Sequence, residues 1–294
     1  MNSTTMRTGV IGLGAMGAGM AWNLQRQGFL VAVWNRTPSR TEPFAGQEGI
    51  RVAASPEELA GCCELIVTCV SRDADVKQAV SAMRAGLAAG TIVADTSTIN
   101  AATARELATQ LGAQGVEFLD CPVSGGVEGA RQGTLAMMVG GNAEALERAR
   151  PALAAIARRV VHMGPSGSGQ ATKAVNQIMV AGINQAVTEA LAFGEAMGLP
   201  MGKVLDVVGS GAAANWFLEH RGKSMLEGRF SPGFKVSLHH KDLSICRKMA
   251  TVNYGASLPV TEMTIKDYQR LMEQKRGDED ISALFRLKQS AFKK

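Results

Sequence analysis

The chain has little of what marks several large protein classes. It has two tyrosines, and its most basic stretches, such as Lys288 to Lys294, are sparse. A nucleic-acid binder needs basic patches interleaved with stacking aromatics, so that class is disfavoured. No run of about 18 residues free of strongly polar groups is present, which leaves no candidate bilayer span. The five cysteines, Cys62, Cys63, Cys69, Cys121 and Cys246, are odd in number and lack paired C-x-x-C spacing. They suggest neither a disulfide framework nor a zinc site, and a reducing compartment is the natural home. The four histidines form no H-E-x-x-H. His239 and His240 adjoin Lys241, a poor setting for a cation, and no metal is expected.

What is present points to an ordinary globular protein. The 294 residues give about two domains at roughly 150 residues each. Apolar residues at 46% and charged residues at 19% suffice for a sizeable core. The net charge of +5 is modest and can favour anionic ligands, no more. Arg7 followed by the apolar run Val10 to Trp22 imitates an export signal, but the stretch from Gly9 through Gly19 contains five glycines. An unexported, cytoplasmic protein is the expectation.

The first half alternates strands and helices. Thr8 to Ile11 reads as a buried strand. Gly12-Leu13-Gly14-Ala15-Met16-Gly17 then turns into a helix ending near Gly28. This is G-x-G-x-x-G in its required context: Gly12 for the turn, Gly14 for close approach of a pyrophosphate, Gly17 for helix–strand packing. Phe29 to Asn35 is the second strand, whose end should meet the adenosine ribose. NAD binders usually carry an acid there, whereas this chain has Asn35-Arg36-Thr37 with Arg40 just beyond. Guanidinium groups match a phosphate bidentately, so NADP is expected and NAD is the lesser candidate.

Ser55-Pro56-Glu57-Glu58 opens a helix with Ser at the N-cap and Glu at N3. Strand Glu64 to Val70, helix Asp75 to Met83, strand Thr91 to Asp95, helix Asn100 to Leu111 and strand Val116 to Cys121 complete a βαβ series. That pattern predicts a doubly wound parallel sheet of the Rossmann type. The ligand crevice of such a sheet lies at its strand ends, here Val70-Ser71, Ser97-Thr98 and Pro122 to Gly126.

Ser124-Gly125-Gly126 offers a hydroxyl and unobstructed N–H groups, so the loop can hold a carboxylate or be a plain tight turn. Beyond the breaker Gly164 to Gly169, residues 169 to 197 read as one long apolar helix. Lys173, Asn176 and Gln177 share a face of its first turns. A lysine there either snorkels to the surface or is buried, partnered and lowered in pKa toward proton transfer. After residue 165 no further βαβ pattern appears. Met201 to Val208, Ala213 to Leu226, Val236 to Tyr254, Pro259 to Gln274 and Ile281 to Gln289 read as helices. Residues 1–165 are thus expected to form a Rossmann domain and 166–294 an all-helical one.

Four ordered motifs carry a resemblance: Gly12 through Leu24; Asp120-Cys-Pro-Val-Ser-Gly-Gly126 with Gly129 to Leu135 and Met138 to Gly141; Gly164 through Asn176; and Lys241-Asp-Leu243. Gly277 to Leu284 adds a fifth. The chain resembles the β-hydroxyacid dehydrogenase family, and the motifs span nearly all of it. The resemblance implies Lys173 as acid/base, Ser124, Gly125 and Gly126 at the substrate carboxylate, and Lys241 near the nicotinamide. It also implies Thr98 between cofactor and substrate. Asn35-Arg36-Thr37 looks most like the NADPH-dependent semialdehyde reductases, in which Phe234 and Asp242 match positions lining the site. It further implies that the long helix bridges the domains and that the helical domain forms dimers or tetramers.

One departure concerns the residue four after the lysine, Gln177, where many members have Asn. Trp216, Phe217 and Arg221 are further pocket candidates, with core packing the plain alternative for Trp216 and Phe217. The family pattern leaves the substrate open among small semialdehydes, glyoxylate and sugar-derived β-hydroxy acids. Two rival readings are a catalytically altered, cofactor-binding interaction protein and an imine reductase. In the relatives concerned the lysine is replaced, and Lys173 argues against both.

Overall fold

The structure, a computed structural model, describes residues 5–292. By internal contacts it divides into two compact units, one running to Lys173 and the other starting at Ala174. The glycine-rich turn around residue 165, where the sequence places the domain boundary, precedes this division by part of one helix.

The first unit opens with β1 (Thr8–Ile11), α1 (Gly17–Arg26), β2 (Leu30–Trp34), β3 (Arg51–Val52), α2 (Pro56–Cys62), β4 (Leu65–Thr68), α3 (Asp73–Met83), β5 (Ile92–Asp95), α4 (Ala101–Gly112) and β6 (Glu117–Asp120). These strands are all parallel, in spatial order β3-β2-β1-β4-β5-β6. Their residues alternate between two cores. Val10, Leu65, Val67, Ile92 and Ala94 join one, while Ile11, Ile66 and Val93 join the other. A sheet covered on both faces needs continuous apolar runs, and β1, β4 and β5 are buried throughout. Ser55 caps α2 as expected, accepting from Glu58 N–H, while the Glu58 carboxylate reaches back to Ala54 N–H at 2.7 Å.

Beyond β6 the sheet departs from the parallel expectation. β7 (Val123–Ser124), α5 (Gly126–Gln132), β8 (Leu135–Gly140), α6 (Ala143–Leu153) and β9 (Ala157–Gly164) follow. β8 runs antiparallel to both β6 and β7, and β9 pairs parallel to β8. The two-residue β7 and the bulged β8–β9 pairing leave no clean alternation in the sequence, so periodicity could not reveal this extension.

Helix α7 (Ser168–Ala196) begins in the first unit and runs into the second. The second unit adds α8 (Met201–Gly209), α9 (Trp216–Leu226), α10 (Val236–Tyr254), α11 (Pro259–Glu273) and α12 (Leu284–Ala291) around a core including Leu243, Ile265, Tyr268, Leu271 and Phe285. α9 starts three residues later than the sequence suggests, because Asn215 takes the N-cap and accepts from Leu218 N–H. The last helix is preceded by a separate 3-10 turn over Ile281–Ala283, set by Asp280. Among the described residues no helix is long and apolar enough to cross a membrane.

Candidate active site

The G-x-G-x-x-G loop is shaped by contacts only glycine permits. Gly12 has φ +96°, and a Cβ there would lie 2.3 Å from the Cys69 carbonyl oxygen. A Cβ on Gly17 would lie 1.9 Å from Gly12 O, so α1 and the turn close directly on each other. Gly14 is different: a Cβ there would meet nothing within 4 Å. The chain's own packing therefore does not require glycine at 14. Its bare, exposed backbone, with exposed Ala15 and half-buried Met16 beside it, leaves open space that a side chain would occupy. Combined with the N–H groups at the start of α1, this fits a dinucleotide pyrophosphate.

Asn35, at the end of β2, is committed within the protein. Its Oδ1 accepts from Leu13 N–H at 2.8 Å and its Nδ2 donates to Thr37 O at 2.9 Å. It braces the glycine loop against the next turn. Arg36, Thr37 and Arg40 are exposed beside it, and Arg36 Nη1 lies 3.3 Å from Asp75 Oδ1.

The loops after β4 and β5 are joined through a buried acid that the sequence pattern does not single out. Asp95 Oδ1 accepts from the Thr68 hydroxyl at 2.6 Å and the Ser97 hydroxyl at 2.7 Å, and Ser97 Oγ accepts from Val70 N–H at 2.9 Å. Val70, with exposed Ser71 next to it, is thereby held beside the loop that carries Thr98. Burial pushes the Asp95 carboxyl up to about 6, against these hydrogen bonds, and its Oδ2 is buried without a partner among the described residues. A visible signal existed: the apolar strands β5 and β6 each end on an aspartate.

At the end of β6, Asp120 accepts from Gly167 N–H at 2.7 Å and Gln170 N–H at 2.9 Å, and so caps the start of α7. Burial raises its pKa while those N–H groups hold it down. Further along the same loop, Gly125 takes φ +129° and Gly126 opens α5, so the backbone turns sharply after Ser124. Lys173 is 7% exposed, and its Nζ donates to Val123 O at 2.9 Å. It does not snorkel. The structure brings the lysine to the Ser124-Gly125-Gly126 loop that the sequence singled out.

The second unit gathers the other polar residues. Asn176 donates to Gln177 Oε1 at 2.8 Å, Gln177 Nε2 donates to Asp242 Oδ2 at 2.6 Å, and Lys241 Nζ lies 2.9 Å from Asp242 Oδ1. Behind them runs a fully buried chain. Asn184 Nδ2 donates to Tyr268 Oη at 2.8 Å, Tyr268 Oη lies 3.0 Å from His239 Nδ1, and His239 Nε2 lies 3.3 Å from Gln177 O. These bonds are mutually satisfied when Tyr268 donates to Nδ1 and Nε2–H donates to the carbonyl, the neutral imidazole. Phe234 sits over His239 with ring centroids 5.2 Å apart. Phe217 is core, as the plain alternative has it, while Trp216 is 60% exposed and stacks on His220. Arg221 is anchored to buried Asp280 at 3.3 Å.

Comparison with known proteins agrees with this architecture. Residues 7–164 match the family described as the NAD binding domain of 6-phosphogluconate dehydrogenase, and residues 167–288 that described as NAD-binding of NADP-dependent 3-hydroxyisobutyrate dehydrogenase. An uncharacterized oxidoreductase of Shewanella frigidimarina is 38% identical over 277 residues, covering 93% of this chain and 95% of the relative. The NAD-dependent L-serine dehydrogenase of Pseudomonas aeruginosa is 32% identical, covering 94% and 96%. The solved Mycobacterium tuberculosis 3-hydroxyisobutyrate dehydrogenase with L-serine superimposes with a TM-score of 0.86 at 30% identity, over 97% of this chain and 99% of that one. Two family matches end to end, on a Rossmann sheet followed by helices, establish that this chain belongs to the β-hydroxyacid dehydrogenase family, as an NAD(P)-dependent oxidoreductase of the 3-hydroxyisobutyrate dehydrogenase type.

Proposed function

We propose that the protein interconverts a small β-hydroxy acid and its semialdehyde using NADP(H), with Lys173 as general acid and base. The observation that carries this reading is the buried Lys173, whose Nζ is bonded to Val123 O immediately before the Ser124-Gly125-Gly126 turn. A cation held beside a loop with available N–H groups suits a substrate bearing a carboxylate next to its reacting carbon.

In this reading residues 1–165 hold the dinucleotide and residues 166–294 serve substrate binding and oligomerisation. The nicotinamide, when bound, supplies the hydride for reduction and accepts it in oxidation. Ser124 and the N–H groups of Gly125 and Gly126 hold the substrate carboxylate. Charged Lys173 gives its proton to the carbonyl oxygen as negative charge builds there, and the neutral amine takes the hydroxyl proton in the reverse direction. Asn176 and Gln177, fixed by Asp242, orient polar contacts near the lysine, and Phe234 lines the substrate. Gly12 to Gly17, Val70, Ser71, Thr98 and Lys241 are assigned to the cofactor.

NADP is favoured over NAD because no acid ends β2 and because Arg36, Thr37 and Arg40 are exposed there. Asn35 serves that turn as a brace. The family description for residues 167–288 names an NADP-dependent enzyme, while the L-serine dehydrogenase relative is NAD-dependent. Self-association is supported by α8, which has no buried residue and exposes the apolar side chains of Val207 and Val208.

One spectrophotometric panel tests the reading: glyoxylate, succinic, tartronate and methylmalonate semialdehydes and a cyclic imine, each with NADPH and NADH. Turnover of a semialdehyde with NADPH supports it. Turnover of the imine alone, or of nothing, favours an imine reductase or a cofactor-binding interaction protein. A tenfold NADH preference overturns the Arg36 assignment.

A further inference from the structure

Gln170 lies in the first turn of α7, three residues before Lys173, and is 1% exposed. Its backbone N–H is held by Asp120 Oδ2. Its carboxamide reaches the loop after β5, where Nε2 donates to Ser97 O at 2.8 Å and Oε1 accepts from Ile99 N–H at 3.1 Å. The two bonds bracket Thr98. The helix can come this close because residue 169 is glycine: a Cβ there would lie 2.4 Å from both Asp120 O and Met138 O.

The bracket is specific to a carboxamide. It requires one donor and one acceptor at the end of a side chain of this length, in one orientation; reversed, the carboxamide would set oxygen against the Ser97 carbonyl. Asparagine is too short, ionised glutamate cannot donate, and methionine can do neither.

We propose that Gln170 is a positioning residue for the reaction, tying the Thr98 peptide to the helical turn that carries Lys173 so that the loop and the acid/base keep a fixed separation. The inference rests on the reading of Lys173 as acid/base. Misplacing reacting groups by about 1 Å costs on the order of a hundredfold in rate, so a loosened bracket registers in turnover.

The test uses the full-length Gln170→Met and Gln170→Glu variants, with kcat and KM for a semialdehyde that the wild type reduces, NADPH Kd by fluorescence, and Tm. Both variants are expected to fold but to melt several degrees below wild type, because Ser97 O and Ile99 N–H lose a buried partner, to bind NADPH several-fold more weakly, and to lose about tenfold or more in kcat near neutral pH. The decisive readout is pH. Once protonated, the carboxyl introduced by Gln170→Glu can donate to Ser97 O and accept from Ile99 N–H, so the kcat ratio of Gln170→Glu to Gln170→Met should rise several-fold from about pH 8 to about 5.5. Asp95 on β5, Asp120 on β6, Arg105 on α4 and Lys173 on α7 are the charged neighbours. All are present in both variants, so the Gln170→Met profile is the baseline against which the rise in Gln170→Glu is read. Wild-type kcat and Kd in Gln170→Met, or a flat ratio, overturns the proposal. Lys173→Ala in the same assay separates the two ideas. If it turns over normally, the acid/base reading fails. If it is inactive while Gln170→Met is unimpaired, only the positioning role fails.

Discussion

Lys173 and Val123 are fifty residues apart in sequence, yet the ammonium of one donates to the carbonyl of the other at 2.9 Å. That bond turns a charged residue in an apolar helix from an anomaly into a placed group. The lysine is held at the mouth of the loop where a carboxylate substrate is proposed to sit, and its burial makes its removal informative.

Lys173→Ala should lose at least about a hundredfold in kcat, the lower end of what general acid–base catalysis contributes, while NADPH Kd stays within a few-fold of wild type. Stopped-flow turnover alongside fluorescence titration measures both. Near-wild-type turnover in this variant would remove the proposed mechanism.

Arg36 and Arg40 bear on cofactor choice. The Arg36 side chain is 74% exposed and its pair with Asp75 is a surface one, worth under about 1 kcal/mol. A cofactor phosphate can therefore recapture the guanidinium at small cost. The double variant Arg36→Ala/Arg40→Ala should raise KM for NADPH about tenfold or more and leave KM for NADH nearly unchanged. Equal effects on the two cofactors would show that these arginines do not read the phosphate.

Asp95 makes stability depend on pH in a direction opposite to a salt-bridged carboxylate. Its folded-state value of about 6 lies above its ordinary 3.8, so the folded chain retains a proton that the unfolded chain has lost. The stability tied to that proton is present below about pH 4 and is lost as pH rises through about 6, on the order of 3 kcal/mol at most. Asp95→Asn cannot ionise. The Tm difference, wild type minus variant, should fall between about pH 4 and 7, and a constant difference would show that Asp95 does not titrate there.

Tyr268→Phe removes the hydroxyl that links Asn184 to His239 in a fully buried setting. Taking one partner from buried polar groups costs about 1–3 kcal/mol, so Tm should drop by several degrees. An unchanged melting curve would mean that the polar chain behind Gln177 contributes nothing to stability.

Much of this protein follows from local pattern alone. The strand, glycine turn and helix at Thr8–Arg26, the capped helix at Ser55, the parallel βαβ series and the helical second half are written in short-range periodicity and capping chemistry. So is the shared helix face of Lys173, Asn176 and Gln177, because helical spacing puts them there in any context. What only the tertiary structure decided depends on partners distant in sequence. Asn35 reads as a ribose-end residue until Leu13 is seen to claim its oxygen. Trp216 and Phe217 are adjacent aromatics, and only packing sends one outward and the other into the core. β8 reverses against β6 without a periodic signal. Asp95 and Gln170 look like ordinary polar residues until the fold buries them against Thr68, Ser97 and Ile99. Burial and long-range hydrogen bonding are properties of the assembled chain: the residue types permit them, and the pairing of the strands and the start of α7 against the sheet bring the partners within reach.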